Sequence, residues 1–166
     1  MSTILRSIID HHTWANDVLY GFCETLTPEQ LALTGSGTFG PVHDTLVHLA
    51  DAEIVYLSRI PESGITLEFE GDTDTLPSVA MLRASLRRTG EAWHRVVERW
   101  PDDLTFSYRR RDGSEERGSV AFSVVQMLDH GAEHRNHIRT ILSSHGIEPP
   151  ELDGWTWDEV RPTIVP

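Results

Sequence analysis

Apolar residues recur at spacings of three and four positions in four stretches of the chain, a pattern that predicts four long helices. We place these helices at residues 3–24, 41–60, 78–100 and 123–144. Pro61 and Pro101 follow the second and third stretches, where proline ends a helix, and Gly146 follows the fourth as a cap. Residues 27–30 (Thr-Pro-Glu-Gln) predict a short capped turn with proline at its first helical position.

The segments between these helices indicate how the helices are arranged. Residues 61–77 predict a loop that spans roughly 55 Å when extended, more than the about 30 Å of a 20-residue helix, so the helices it joins can run parallel. Residues 104–120 alternate apolar and polar side chains around Asp112 and Gly113, which predicts a β-hairpin. Residues 147–166 are rich in proline and tryptophan and predict an irregular arm. The pattern as a whole predicts one all-α domain over residues 1–166, with a small hairpin between helices 3 and 4.

The composition narrows the class of function. The chain has 166 residues, of which 39% are hydrophobic and 24% charged, as in soluble globular proteins. Its net charge of −12 disfavours nucleic-acid partners and anionic membrane surfaces. We expect neither a transmembrane helix nor a signal peptide. The single cysteine, Cys23, excludes an intramolecular disulfide and favours a reducing, cytoplasmic compartment; we expect it to be a small buried hydrophobe.

Histidine is the outlier of the composition, with nine residues, and one pair is spaced for chelation. His130 and His134 are four positions apart, so they share one helix face. Two imidazoles so placed can bind a divalent ion, and neutral nitrogen ligands suit zinc, nickel or iron. The pair joins an apolar stripe and is therefore predicted to face the bundle interior. Nine histidines in a chain of this length give about 0.5 such pairs by chance alone, so ordinary packed or solvated histidines remain the alternative.

A metal site needs a third ligand from another helix, and the second helix offers two histidines. His48 and His43 are five positions apart, about 140° round the helix, so only one can face the pair. His48 lies on the inward apolar face, whereas His43 is near the helix start and is expected to be exposed. Asp51 is one turn after His48. It could bind the metal, hydrogen-bond to one of the ligating imidazoles without binding the metal, or be a solvated acid.

The other histidines are weaker candidates. His137 lies on the same stripe, but about 10 Å along the axis from His130, so those two cannot share an ion. A pair made of His134 and His137 is a second, less favoured arrangement. We expect four histidines at the surface: His11, His12, His94 and His145. His11 and His12 are on the first helix, and one of them could face the core instead.

Residues 130–134 also match the inverted zinc-peptidase motif His-x-x-Glu-His, with Glu133 as the base. That class of peptidase takes its third ligand from a glutamate many tens of residues downstream on another helix. Here the downstream segment is short and interrupted by prolines. The sequence therefore does not favour peptidase chemistry.

Four short motifs resemble the DinB/YfiT-like superfamily of metal-binding four-helix bundles. They are the Trp-Ala-Asn of residues 14–16, residues 46–53 around His48, the His-x3-His-Arg of residues 130–135, and residues 146–153 (Gly-Ile-Glu-Pro-Pro-Glu-Leu-Asp). Each motif is degenerate, but their order and spacing cover nearly the whole chain. The resemblance implies an up-down-down-up four-helix bundle, often dimeric, with one divalent ion held by His48, His130 and His134.

Characterised relatives in that superfamily include bacillithiol transferases and mycothiol- or glutathione-dependent isomerases. The resemblance therefore implies a transferase that uses a divalent metal, zinc or nickel foremost, to add a low-molecular-weight thiol to a small electrophile. The thiol would come from a cofactor, because no cysteine is placed to attack. A non-catalytic metal-containing binding or stress protein, a metal-assisted hydrolase and a metal-free bundle are the alternatives. Four residues are candidates to line a pocket above the metal: Trp14, Asn16, Asp51 and Tyr56. For Trp14 and Tyr56 the alternative is packing in the core.

Overall fold

A computed structural model of the protein describes residues 3–66, 76–101, 103–110 and 112–161. These residues form helices and one two-stranded antiparallel sheet. The elements are α1 (Thr3–Cys23), α2 (Pro28–Leu31), α3 (Val42–Arg59), α4 (Val79–Arg99), β1 (Thr105–Arg109), β2 (Glu115–Ser119), α5 (Val120–Ser144) and α6 (Gly154–Val160). Among the described helices, none combines the length and the apolarity that crossing a membrane requires.

The four long helices and the hairpin predicted from the sequence are confirmed. α5 starts three residues before the predicted position, because β2 leads directly into it and the side chain of Ser119 accepts a hydrogen bond from the Phe122 amide. The predicted turn at residues 27–30 is the one-turn helix α2, with Thr27 as its cap. Much of the predicted 61–77 loop, residues 67–75, lies outside the described residues.

The prediction of an irregular arm after residue 147 is wrong for α6. The carboxylate of Asp153 accepts a hydrogen bond from the Thr156 amide and so caps this short helix. The ring of Trp157, on α6, lies edge-on to that of His11, with ring centroids 5.6 Å apart. His11 is also close to the backbone carbonyl of Leu152, with its Nε2 3.0 Å away. These contacts anchor the end of the described chain on α1.

The long helices pack around two hydrophobic clusters. α1 packs against α4 and α5, and α3 packs against α4 and α5. The first cluster includes Tyr20 and Leu46, and the fully buried Cys23 belongs to it, as predicted. The second includes Trp93, and Phe106 joins it from the hairpin. The hairpin therefore covers one part of the helical core.

A buried polar network joins all four long helices. The carboxylate of Glu53, on α3, lies 2.8 Å from His12 Nε2 and accepts hydrogen bonds from Asn16 Nδ2 at 2.7 Å and Thr89 Oγ1 at 2.9 Å. From α5, Arg135 Nη1 donates to Asn16 Oδ1 at 2.8 Å and lies 3.3 Å from His12 Nδ1. Burial alone would raise the pKa of Glu53, but its contacts with His12, Thr89 and Asn16 outweigh burial and lower it. We call these five residues the buried network.

His12 does not lie at the surface, the position favoured from the sequence; it takes the alternative left open for one of the two histidines on α1 and faces the core. Its side chain is 1% exposed, because α1 directs it at Glu53 and at the backbone of Gly131. A Cβ on Gly131 would lie 2.6 Å from His12 Cε1 and 2.9 Å from Arg135 Nη1, closer than real contacts of this kind. Glycine at position 131 therefore lets α1 and α5 approach closely enough to form the network.

Replacing Gly131 with alanine should destabilise the fold. The clash with the tightly bonded His12 ring exceeds the gain in helix propensity of about 1 kcal/mol, so we expect a net loss of about 1–2 kcal/mol. Urea unfolding measures this loss. Gly40→Ala is the control, since a Cβ there meets no atom within 4 Å. Equal unfolding midpoints for the two variants would contradict the proposed close approach.

Candidate metal centre

Three histidines from two helices meet at one place. His48 projects from α3, and His130 and His134 project from successive turns of α5. One ring nitrogen of each lies within 4.8 Å of the others, and the Nε2 atoms of His48 and His130 are 3.0 Å apart. Nitrogens around a tetrahedral zinc ion are about 3.3 Å apart. This three-histidine cluster therefore has the donor type and the spacing that a divalent ion needs.

The charge state of the cluster also fits a metal site. Burial lowers the pKa of all three imidazoles, and the neighbouring histidines lower the pKa values of His130 and His134 further. The pKa of His134 falls to about 4. All three rings are therefore neutral at neutral pH, which is the form that binds metals. The Nδ1 atom of His134 is buried without a hydrogen-bond partner among the described residues.

Aromatic side chains flank the cluster. Phe39, in the connection between α2 and α3, stacks on His48 with ring centroids 4.1 Å apart and meets the edge of His134. The ring of Tyr56 lies edge-on to that of His130, with ring centroids 5.8 Å apart. Phe39 is 51% exposed and two of the histidines are only half-buried, so the cluster is accessible from solvent.

Comparison with protein families agrees with this geometry. The model of the DinB family matches residues 1–161. The chain belongs to the DinB family. A search of curated proteins finds no match to it. The family and the three-histidine cluster together indicate a DinB-like protein whose histidines can hold a metal ion.

The sequence identified the three histidines of this cluster but missed Phe39. Helical periodicity gave His48, His130 and His134, because two share a face of one helix and the third lies on the inward face of another. Phe39 lies between two glycines in a non-helical connection, where no periodic pattern applies. Only the packing of that connection on α3 places its ring on His48.

The predicted pocket residues fall in different surroundings. Tyr56 contacts the cluster as described, and Asp51 lies beside it, where burial raises its pKa and His48 opposes that rise. One oxygen of Asp51 is buried without a described partner. Asn16 is part of the buried network, and Trp14 packs on the first hydrophobic cluster with its ring 5.6 Å from that of His11. The pocket role of all four stays a prediction.

The remaining histidines lie outside the three-histidine cluster. The ring of His137 is 5.3 Å from that of His134, but His137 is not one of the three clustered ligands. His145 is exposed, as expected. The expectation of surface exposure is wrong for three half-buried histidines, because each contacts a neighbouring element: His11 with Leu152, His43 with Pro77, and His94 with Asp10.

The purified protein should bind about one divalent ion per chain. Loading with zinc or nickel, followed by dialysis and elemental mass spectrometry, measures the content. His130→Ala should lose the ion, because the two remaining ligands form a much weaker site. His145→Ala is the control and should keep it. A wild-type protein that cannot be loaded would contradict the metal centre.

The metal-free protein should lose stability as the pH falls from about 6.5 towards 4. In the native state His134 stays neutral down to a pKa of about 4, whereas in the unfolded chain it takes up a proton near its ordinary value of 6.5. The unfolded state therefore binds more protons than the native state in this pH range, and the free energy of unfolding decreases as the pH decreases. Urea unfolding at pH 7 and pH 5 in the presence of a chelator should show a smaller fall for His134→Gln. An equal fall in both proteins would contradict the lowered pKa.

Proposed function

We propose that this DinB-family protein is a divalent-metal-dependent transferase that joins a low-molecular-weight thiol to a small electrophile. The observation that carries the proposal is the solvent-accessible cluster of three neutral histidines, His48, His130 and His134. Zinc and nickel are among the metals that such a donor set suits, and we propose one of them as the ion. Three protein ligands leave a coordination position open for a further molecule.

The cluster is suited to activating an incoming thiol. Neutral ligands leave the full positive charge of a divalent ion uncompensated, and such an ion, when bound, lowers the pKa of a coordinated thiol towards neutrality. In the proposed transfer the thiolate sulfur forms a bond to an electrophilic carbon. The leaving group departs with its electron pair, and the thiol proton goes to solvent or to a nearby base.

The protein's own thiol does not fit the role of nucleophile. Cys23 is the only cysteine in the sequence, is fully buried in the first hydrophobic cluster, and has its pKa raised to about 12 by burial. A thiol with that pKa carries almost no thiolate at neutral pH. The proposed nucleophile therefore comes from a second, diffusible molecule.

Other residues around the cluster support the proposal. The exposed ring of Phe39, against His48, and the ring of Tyr56, against His130, offer apolar surfaces for a small electrophile. Asp51, one turn from His48, combines an unpartnered buried oxygen with a raised pKa. These are the properties of a carboxylate that can accept and hold a proton near the site.

We also propose that α1, α3, α4 and α5 form an up-down-down-up four-helix bundle. The packing of α3 against α4 and α5, and of α1 against the same two helices, supports this arrangement. Such a bundle places the cluster between two of its helices, where bundles commonly build metal sites.

The zinc- or nickel-loaded protein should conjugate glutathione, bacillithiol or mycothiol to a chromogenic aryl halide. His48→Ala should lower the conjugation rate at least a hundredfold, because the open coordination position is lost with the metal. Spectrophotometry of the thioether product measures the rate. Cys23→Ala is the matched control and should retain it, since that thiol is buried and protonated.

Two results would contradict the thiol-transfer proposal. A metal-loaded wild-type protein that forms no thioether with any of the three thiols is a non-catalytic metal protein. A product that forms equally without thiol points to hydrolysis by metal-bound water instead.

A further inference from the structure

A cavity lies on the other side of α5 from the histidines. It has a volume of about 560 Å³ and is bounded by α1, α5 and α6. Its α5 residues, Leu128, Ala132 and Arg135, are centred about 150° round the helix from His130 and His134. The volume is in the range of pockets that hold small organic ligands. We call it the α1/α5/α6 pocket.

The walls of this pocket are apolar, and part of that apolar surface faces solvent. Ile4 and Ile8 line it from α1, and Ile4 is 72% exposed although it is a large aliphatic residue. Leu128 lines it from α5, and Trp157 lines it from α6, where its ring is held by His11. Filling the pocket with an apolar group would remove this surface from water, which is favourable.

Among the described residues of the lining, the permanently charged group is the guanidinium of Arg135. Arg135 and His12 lie in the lining, and both are otherwise buried, at 6% and 1% exposure. None of the described lining residues is an acid, in a chain that has 26 aspartates and glutamates against 14 arginines and no lysine. The carboxylate of Glu53, which balances charge in the network, is bonded to His12, Asn16 and Thr89 and is not part of the lining. The pocket is therefore apolar with a cationic base.

Arg135 has donors left for a ligand. Both of its hydrogen-bond contacts with described residues use Nη1, to Asn16 and to His12. A guanidinium has five N–H donors on three nitrogens, so Nε and Nη2 remain. Arginine binds carboxylates through two parallel hydrogen bonds, and a partly desolvated site strengthens them.

We infer that the α1/α5/α6 pocket binds a small amphiphilic monocarboxylate, with its apolar chain between α1 and α6 and its carboxylate on Arg135. The charge complementarity and the absence of acidic residues in the lining select an anion over an amine or a neutral lipid. The site is separate from the metal centre, so the inference does not depend on the proposed transferase activity.

Octanoate is the probe, with octanol and octylamine as isosteres that change only the head group. Calorimetric titration should show one saturable site for octanoate and at least tenfold weaker binding of the other two. Because carboxylates also bind metal ions, the titration is repeated on His130→Ala, which lacks the complete histidine cluster. Octanoate affinity should be unchanged there.

The pocket variant is Ala132→Phe, which fills the cavity from an exposed position on α5 that is not part of the buried network. Its matched control is Ala121→Phe, at another exposed position of the same helix outside the pocket. Ala132→Phe should abolish octanoate binding, and Ala121→Phe should leave it unchanged.

The inference is overturned if octanol binds as tightly as octanoate, since the guanidinium then has no role. It is also overturned if binding survives Ala132→Phe or disappears in His130→Ala, which places the probe elsewhere. A concentration-dependent dimer that Ala132→Phe disrupts, without octanoate binding, would assign the apolar walls to a second copy of the chain.

Discussion

The carboxylate of Glu53 is the group on which the arrangement of the long helices depends. It is buried with partners from α1 and α4. One of these partners, Asn16, also accepts a hydrogen bond from Arg135 of α5. A buried charge is tolerated only when its hydrogen bonds are made, and removing one partner of such a pair typically costs about 3–5 kcal/mol. Apolar packing tolerates small shifts of one helix along another, whereas these directional bonds do not. The network therefore fixes the mutual position of α3 and α5.

That constraint reaches the candidate metal centre through the helices themselves. Glu53 is on the same helix as His48, and Arg135 directly follows His134 on α5. Once the network sets α3 against α5, the ring nitrogens of three separate histidines lie within 4.8 Å of one another. The three histidines are thus positioned by the buried network, whose members do not themselves belong to the three-histidine cluster. Such preorganisation reduces the cost of assembling a metal site from separate helices.

Much of the fold, and all three clustered histidines, could be predicted because both follow from helical periodicity. The buried network was missed, although α3 carries a signal: Glu53 takes the place of an apolar residue in the inward series of Leu46, Leu49 and Leu57. An acid in such a series needs a buried partner, and His12 with Asn16, four apart on α1, supplies one. By contrast, the ring of Phe39 on His48 depends on the path of a non-helical connection, which local sequence does not encode. α6 was missed because proline and tryptophan content outweighed the capping signal of Asp153.

The contact between Gly131 and the His12 ring has a consequence for how the sequence can diverge. If a side chain appears at position 131 first, it collides with an imidazole that cannot move without leaving Glu53. If the imidazole is shortened first, the Glu53 carboxylate loses a partner in the interior. Both single substitutions are unfavourable, so the pair of glycine at 131 and histidine at 12 is hard to replace one residue at a time. Across relatives of this chain, glycine and histidine at these positions should persist together or be replaced together.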